Sequence, residues 1–212
     1  MLSADYIRVY EQVLPVALCD QIIDRFEQHH RDAPDWRLEL PTESGESHAV
    51  RSCQEINFNR NREIWGDLEA QLLHYVKLGV QKYVYDCPGC QFPEKFGYEA
   101  VRIKKYTPSR GDHFAPHIDS ATLESCKRYL ACFFFLNDVH EGGETCFPHY
   151  HLELKPQKGR MFLFPPFWMY VHAGKAPISN PKYLVGTYLH HVEGGDKLLA
   201  IPEKEEHLLV EL

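Results

Sequence analysis

The sequence has 212 residues, 44% of them hydrophobic and 13% aromatic, enough to bury one sizeable core. Its 23 Lys and Arg against 30 Asp and Glu give a formal net charge of −7, which argues against a binder of phosphate backbones and so against nucleic acid as a partner. No apolar run approaches the roughly 20 residues that span a bilayer, so a membrane role is not expected.

The opening MLSADYIRVYEQVL has neither the basic nor the apolar region of a signal peptide. The seven cysteines are an odd number and mostly neighbour apolar residues, so reduced thiols in a cytoplasmic protein are expected. Residues 15–28 place Val16, Leu18, Cys19, Ile22, Ile23 and Phe26 close to one face at helical spacing. The stretch 32–47 is rich in Pro, Glu, Ser and Asp and reads as a loop. A longer helix is predicted over 61–85, where Ile64, Leu68, Leu72, Val76, Val80 and Tyr83 form one stripe. Cys87-Pro-Gly-Cys90 has no second CxxC or CxxH to complete a metal site and is read as a surface turn rather than half a zinc site or a redox pair.

From about residue 98 the pattern changes to short strands, predicted at 99–106, 114–119, 128–136, 145–148, 160–164, 169–173 and 183–191. Turn signals separate them, among them Pro108-Ser-Arg-Gly111, Asn137-Asp138 and Gly142-Gly143. Many strands after two helices imply a mostly β sandwich or barrel buttressed by N-terminal helices. A single domain is expected: helical support and first strands over 1–97, a catalytic core over 98–191, and a tail over 192–212. The charged Glu203-Lys-Glu-Glu206 is read as a solvated end.

The chemistry is concentrated in Phe114-Ala-Pro-His117-Ile-Asp119. Strand residues i and i+2 share a face, so His117 and Asp119 present an imidazole and a carboxylate to one point. A third ligand is available in His172. Two histidines and one carboxylate leave coordination positions open, as Fe(II) oxygen chemistry requires, whereas a structural zinc site closes its shell. With 13 histidines in the chain, an HxD alone is weak. Lys182 lies ten residues beyond His172 and is suited to a dicarboxylic cosubstrate if buried; the alternative is a solvated turn after Pro181.

Tyr106, Gly111, Phe114, His117-x-Asp119, Arg128, Leu136-Asn137-Asp138, Gly142-Gly-Glu-Thr145-x-Phe-Pro148, Lys158-Gly159, His172-Ala-Gly174 and Lys182 follow one another in an order that resembles the catalytic domain of prolyl 4-hydroxylases, within the 2-oxoglutarate/Fe(II) oxygenase superfamily. The resemblance covers about 99–191. It implies a double-stranded β-helix, or jelly-roll barrel, with iron held by His117, Asp119 and His172. The far carboxylate of 2-oxoglutarate would pair with Lys182, with Tyr106 and Thr145 lining the same pocket. The implied reaction consumes Fe(II)-bound 2-oxoglutarate and O2, ascorbate being supportive, and hydroxylates a C–H bond; halogenating relatives lack the carboxylate that Asp119 supplies.

Two departures stand out. The loop 107–110 is two residues longer than the family pattern, and Phe135 stands where some relatives have a tyrosine supporting the counterpart of Lys182, which leaves Thr145 as a candidate helper. The loops 112–114, 121–127 and 149–154 are expected to frame the mouth with Trp168 and Tyr170, an aromatic pair able to clamp a proline ring. Arg128 is either a groove residue or a surface ion pair. Arg102 and Lys104 share the face of Tyr106, as contacts for an acidic substrate or as a solvated strand end. The expected substrate is a prolyl residue in a peptide or protein. The alternatives are a free amino acid or other small molecule, or a non-catalytic jelly-roll that binds metal or ligand.

Overall fold

The structure is a computed structural model, described for residues 6–41, 47–87, 89–93, 95–192 and 199–200. In chain order its elements are β1 (Arg8–Tyr10), α1 (Val16–His29), β2 (Asp35–Pro41), β3 (Ser47–Asn57), α2 (Arg62–Asp86), β4 (Lys95–Tyr98), β5 (Arg102–Tyr106) and β6 (Phe114–His117). There follow β7 (Arg128–Phe135), β8 (Thr145–Phe147), β9 (Leu152–Leu154), β10 (Met161–Phe164), β11 (His172–Gly174), β12 (Lys182–His190) and β13 (Leu199–Ala200). The main sheet runs β1-β10-β7-β12-β5-β3-β6-β11-β8-β9, antiparallel throughout, and curls into a jelly-roll.

Strand alternation divides the apolar side chains between two cores. On β7, Leu130, Cys132 and Phe134 face the helices, while Ala131, Phe133 and Phe135 face the barrel interior. Met161 and Leu163 on β10 join the helix side, and Phe162 and Phe164 join the interior. Central strands are covered on both faces, which is why β7 and β10 read as unbroken apolar runs. α1 buries Leu18, Cys19, Ile22 and Phe26 on this layer, and α2 buries Leu68, Leu72, Val76 and Val80. Asn61 caps α2, its side-chain oxygen accepting from the Ile64 amide at 3.3 Å.

Both helices lie within a residue of their expected bounds. The stretch 32–47 differs: β2 occupies 35–41 within it and pairs with β3 from Asp35↔Gln54 to Pro41↔Ser47. Its Pro, Glu and Ser content suits an outer strand that pairs with β3 alone, on one side. β3 itself enters the main sheet between β5 and β6. The strand expected over 169–173 begins only at His172, because a turn at 168–169 precedes it, with the Tyr170 amide donating to the Phe167 carbonyl at 2.8 Å. Cys87 follows α2, its carbonyl accepting from the Cys90 amide at 3.2 Å, as a turn requires, while Pro88 between them lies outside the described residues. The tail segment 203–206 also lies outside them. No described helix is long and apolar enough to cross a membrane.

Candidate metal centre and cosubstrate pocket

His117 closes β6 and His172 opens β11, and the two are direct partners across that strand pair. The register sets their rings side by side, centroids 4.3 Å apart. The strand stops at His117, two residues earlier than expected, so Asp119 is carried to the site on a bend. That bend is held from two directions: Arg128 Nη1 donates to the Asp119 carbonyl at 2.7 Å, and the next amide, of Ser120, donates to Pro166 at 3.1 Å.

Each imidazole has its Nδ1 against a backbone carbonyl, His117 on Ala115 at 2.8 Å and His172 on Tyr170 at 3.0 Å. Such a contact places the proton on Nδ1 and leaves Nε2 as the ligand atom. The Nε2 atoms lie 3.4 and 3.3 Å from the two Asp119 oxygens. Asp119 Oδ2 is buried with no hydrogen bond among the described residues. Two nitrogen lone pairs and a buried carboxylate facing one another are poorly matched until a cation stands between them. The donor atoms lie within 4.8 Å of one another, the sole such grouping among the described residues. Burial pushes the His117 pKa down, the His172 ring adding to this against the pull of Asp119. Burial opposes ionisation of Asp119, but the two histidines outweigh it and hold the carboxyl well below its usual range. Both directions favour the metal-binding protonation states.

A narrow cavity leads inward from this cluster to Lys182, lined also by Tyr106, Thr145, Phe133 and Leu184. Lys182 and Tyr106 are cross-strand partners of β12 and β5, so both side chains turn into the barrel. Lys182 is only 2% exposed, which decides against a solvated turn. Its Nζ donates to the Gly143 carbonyl at 2.7 Å and stands 3.5 Å from Thr145 Oγ1. Gly142 and Gly143 both have positive φ, 73° and 76°, the conformation glycine adopts without strain, and this turn supplies the carbonyl. The rings of Tyr106 and Phe135 flank the ammonium at 5.4 and 5.3 Å. No carboxylate pairs with it among the described residues, and burial pushes its pKa down to about 7. The longer loop after Tyr106 is pinned by buried Asp112, which accepts from the Thr107 amide at 3.0 Å and from the Ser52 hydroxyl.

On the other side of His117 and Asp119 lies an outer cavity of about 490 Å³. Arg128 reaches it but is committed, with a two-pronged ion pair to Glu99 at 2.5 and 2.6 Å and its guanidinium 4.0 Å from the Tyr188 ring. It is thus a groove residue and an ion pair together. Trp168 and Tyr170 line neither cavity. Trp168 is 73% exposed, and Tyr170 is buried and stacked on Tyr150 with centroids 5.3 Å apart. Arg102 and Lys104 both face the outer cavity. The sequence reading missed Arg51, Glu55 and Trp65, which β3 and α2 bring to the same wall. The signal for β3 was the alternation Arg51, Cys53, Glu55 on one face, obscured by the polar segment before it.

Residues 101–190 match the family model described as the 2OG-Fe(II) oxygenase superfamily. Over this segment the chain is similar to that superfamily. The matched oxygenase segment contains all three residues of the metal-type cluster and Lys182. Among solved structures, the viral collagen prolyl hydroxylase of Paramecium Bursaria Chlorella virus-1, in its 2OG complex, is 17% identical with a TM-score of 0.59, covering 88% of this chain and 97% of its own. A Trichoplax adhaerens prolyl hydroxylase in complex with a hypoxia inducible factor oxygen degradation domain peptide fragment is 14% identical, TM-score 0.63, with coverage of 88% and 84%. A Pseudomonas putida prolyl-4-hydroxylase is 14% identical, TM-score 0.61, with coverage of 89% and 94%. No curated protein matches the sequence. The structural likenesses establish a shared jelly-roll fold, and the family match implies Fe(II) as cofactor with 2-oxoglutarate and O2 as cosubstrates.

Proposed function

We propose that this oxygenase hydroxylates a C–H bond of a prolyl residue in a peptide or protein. His117 Nε2, His172 Nε2 and an Asp119 oxygen hold Fe(II), and Lys182 takes the far carboxylate of 2-oxoglutarate, with Tyr106 and Thr145 closing the pocket around it. The observation that carries the reading is one narrow cavity with an unsatisfied two-histidine, one-carboxylate cluster at its mouth and a buried, carboxylate-free ammonium at its base. When bound, iron and 2-oxoglutarate supply oxidising power from O2, with succinate and carbon dioxide as co-products.

The chain's own contribution is placement. The Nδ1 contacts fix the tautomers, Arg128 steadies the Asp119 backbone, and the phenyl rings of Phe133, Phe162 and Phe164 keep the inner pocket dry. Phe135 offers no hydroxyl to Lys182, and the Gly143 carbonyl and Thr145 take that role. The prolyl assignment is supported by neighbours named as prolyl hydroxylases. One observation favours the second reading, a free amino acid or other small molecule: the outer cavity has the size of a small-molecule site. A reducing, cytoplasmic setting with ascorbate present suits the buried thiols of Cys19, Cys53 and Cys132 and a ferrous site. The test is incubation with Fe(II), 2-oxoglutarate and ascorbate, following succinate and the mass of prolyl peptides and amino acids. Succinate requiring both iron and 2-oxoglutarate, with one oxygen added to a prolyl peptide, is the expected result. Oxygen on free proline but on no peptide would replace the first reading with the second, and no succinate would overturn both.

A further inference from the structure

The outer cavity reverses the charge balance of the chain. Arg51, Arg60, Arg102, Lys104 and Arg128 line it against Glu55, Asp119 and Glu124, five cations to three carboxylates, in a protein of net charge −7. Most of these charges are engaged. Arg128 and Arg102 share Glu99, and Asp119 faces the two histidines. Lys104 is different. The carboxylate opposite it across the β3–β5 pair, Glu55, turns away to Arg51 at 2.7 Å and Arg102 at 3.6 Å. Among the described residues no oxygen hydrogen-bonds to the Lys104 ammonium, which instead stands 5.5 Å from the Phe133 ring. Alternation on β5 directs Lys104 inward with Tyr106, and it lines both cavities, at the junction where the oxidised group of a substrate must approach the metal cluster.

We infer that Lys104 is the anchor for a carboxylate of the substrate to be oxidised, so that this enzyme selects anionic substrates. The inference deepens the dioxygenase reading and rests on it. The two carboxylates of 2-oxoglutarate are already provided for by Lys182 and the metal, which leaves the third cation for the other reactant. An ammonium in a partly dry wall gains more from an anion than from water, and a charge-assisted contact of this kind discriminates by about tenfold or more against a neutral isostere. The carboxylate has two possible sources, an acidic residue beside the target in a peptide or the carboxyl of a free amino acid.

The test uses four probes with the Fe(II)- and 2-oxoglutarate-loaded protein: an end-blocked prolyl peptide with Glu beside the proline, the same peptide with Gln, free L-proline, and L-prolinamide. Affinity is read by calorimetry without oxygen, and turnover by succinate and product mass in air. The expected result is that wild type favours the acid over its amide by about tenfold or more in at least one pair, and that pair identifies the source. K104Q should bring the ratio close to one, and K104R should restore it. Equal affinities within both pairs, or no binding by any probe, would overturn the inference without recourse to a variant. A K104Q protein that keeps the ratio and loses 2-oxoglutarate affinity would assign Lys104 to the cosubstrate, again overturning it. Acid preference with no succinate formed would keep the subsite and remove the dioxygenase reading, so the two fail separately.

Discussion

Lys182 makes a prediction about pH that is opposite to the usual behaviour of a lysine anion site. Burial holds its pKa at about 7 when no carboxylate faces it. A carboxylate ligand returns the ammonium toward its ordinary value of about 10.4. Binding of 2-oxoglutarate therefore requires the protonated form, a minority above pH 7, and the apparent KM should scale as 1 + 10^(pH − pKa). Against its low-pH limit, KM rises about twofold at pH 7, about elevenfold at pH 8 and about a hundredfold at pH 9, roughly 1.36 kcal/mol per pH unit. Burial holds the His117 pKa below the usual histidine range, so its imidazole adds no titration between pH 7 and 9. The assay is succinate formation against 2-oxoglutarate across that window, with calorimetry in two buffers of different ionisation enthalpy to count protons. Uptake of about 0.9 proton per 2-oxoglutarate at pH 8 is expected by the same titration. Lys182→Arg keeps its charge at every pH used and should flatten the profile. A wild-type KM constant within about threefold from pH 7 to 9, or binding without proton uptake, would refute the reasoning.

Other perturbations test neighbouring parts. Asp119→Ala or His172→Ala should abolish tight Fe(II) retention and iron-dependent succinate formation, measured by metal analysis after gel filtration; full iron occupancy in either variant would remove that residue from the site. Arg128→Gln breaks the grip on the Asp119 carbonyl and should weaken Fe(II) affinity by about 10–100-fold, the usual effect of losing a group that orients a ligand, as read by competition with a chelator. Gly186→Ala would put a Cβ 2.3 Å from the Cys132 carbonyl oxygen in the centre of the β7–β12 pair, and should cost about 1–3 kcal/mol or more in urea unfolding.

What could be read in the sequence was what is local. α1 and α2 repeat apolar residues at a spacing that only a helix turns to one face, and β7, β10 and β12 are apolar enough to show as strands by themselves. His117 and Asp119 were legible as a pair because a single residue, Ile118, separates them, even though a bend, not a continued strand, delivers the carboxylate. Lys182 needed one further step, since only the fold reveals that its cross-strand partner is Tyr106 and that its surroundings are dry.

The rest was hidden because it depends on distant pairing. β3 comes from before α2 and is inserted between β5 and β6, so Arg51 and Glu55 reach the metal side through contacts some fifty residues away in sequence. No periodicity within 47–57 announces that partner. The same insertion changes the meaning of residues that were noticed. Arg102 and Lys104 read in the sequence first as a solvated strand end, ahead of contacts for an acidic substrate, until β3 covers them. Once it does, Glu55 is positioned to neutralise one of them, and its choice of Arg102 and Arg51 leaves Lys104 facing the cavity alone. Trp168 and Tyr170 show the converse: near His172 in sequence, they line neither cavity, Trp168 being exposed and Tyr170 stacked on Tyr150. The inner half of the site is therefore written in motif spacing and the outer half in topology. The proposed substrate subsite lies in the outer half, where Arg51 on β3, Arg102 and Lys104 on β5 and Arg128 on β7 build a cationic wall that no short motif encodes.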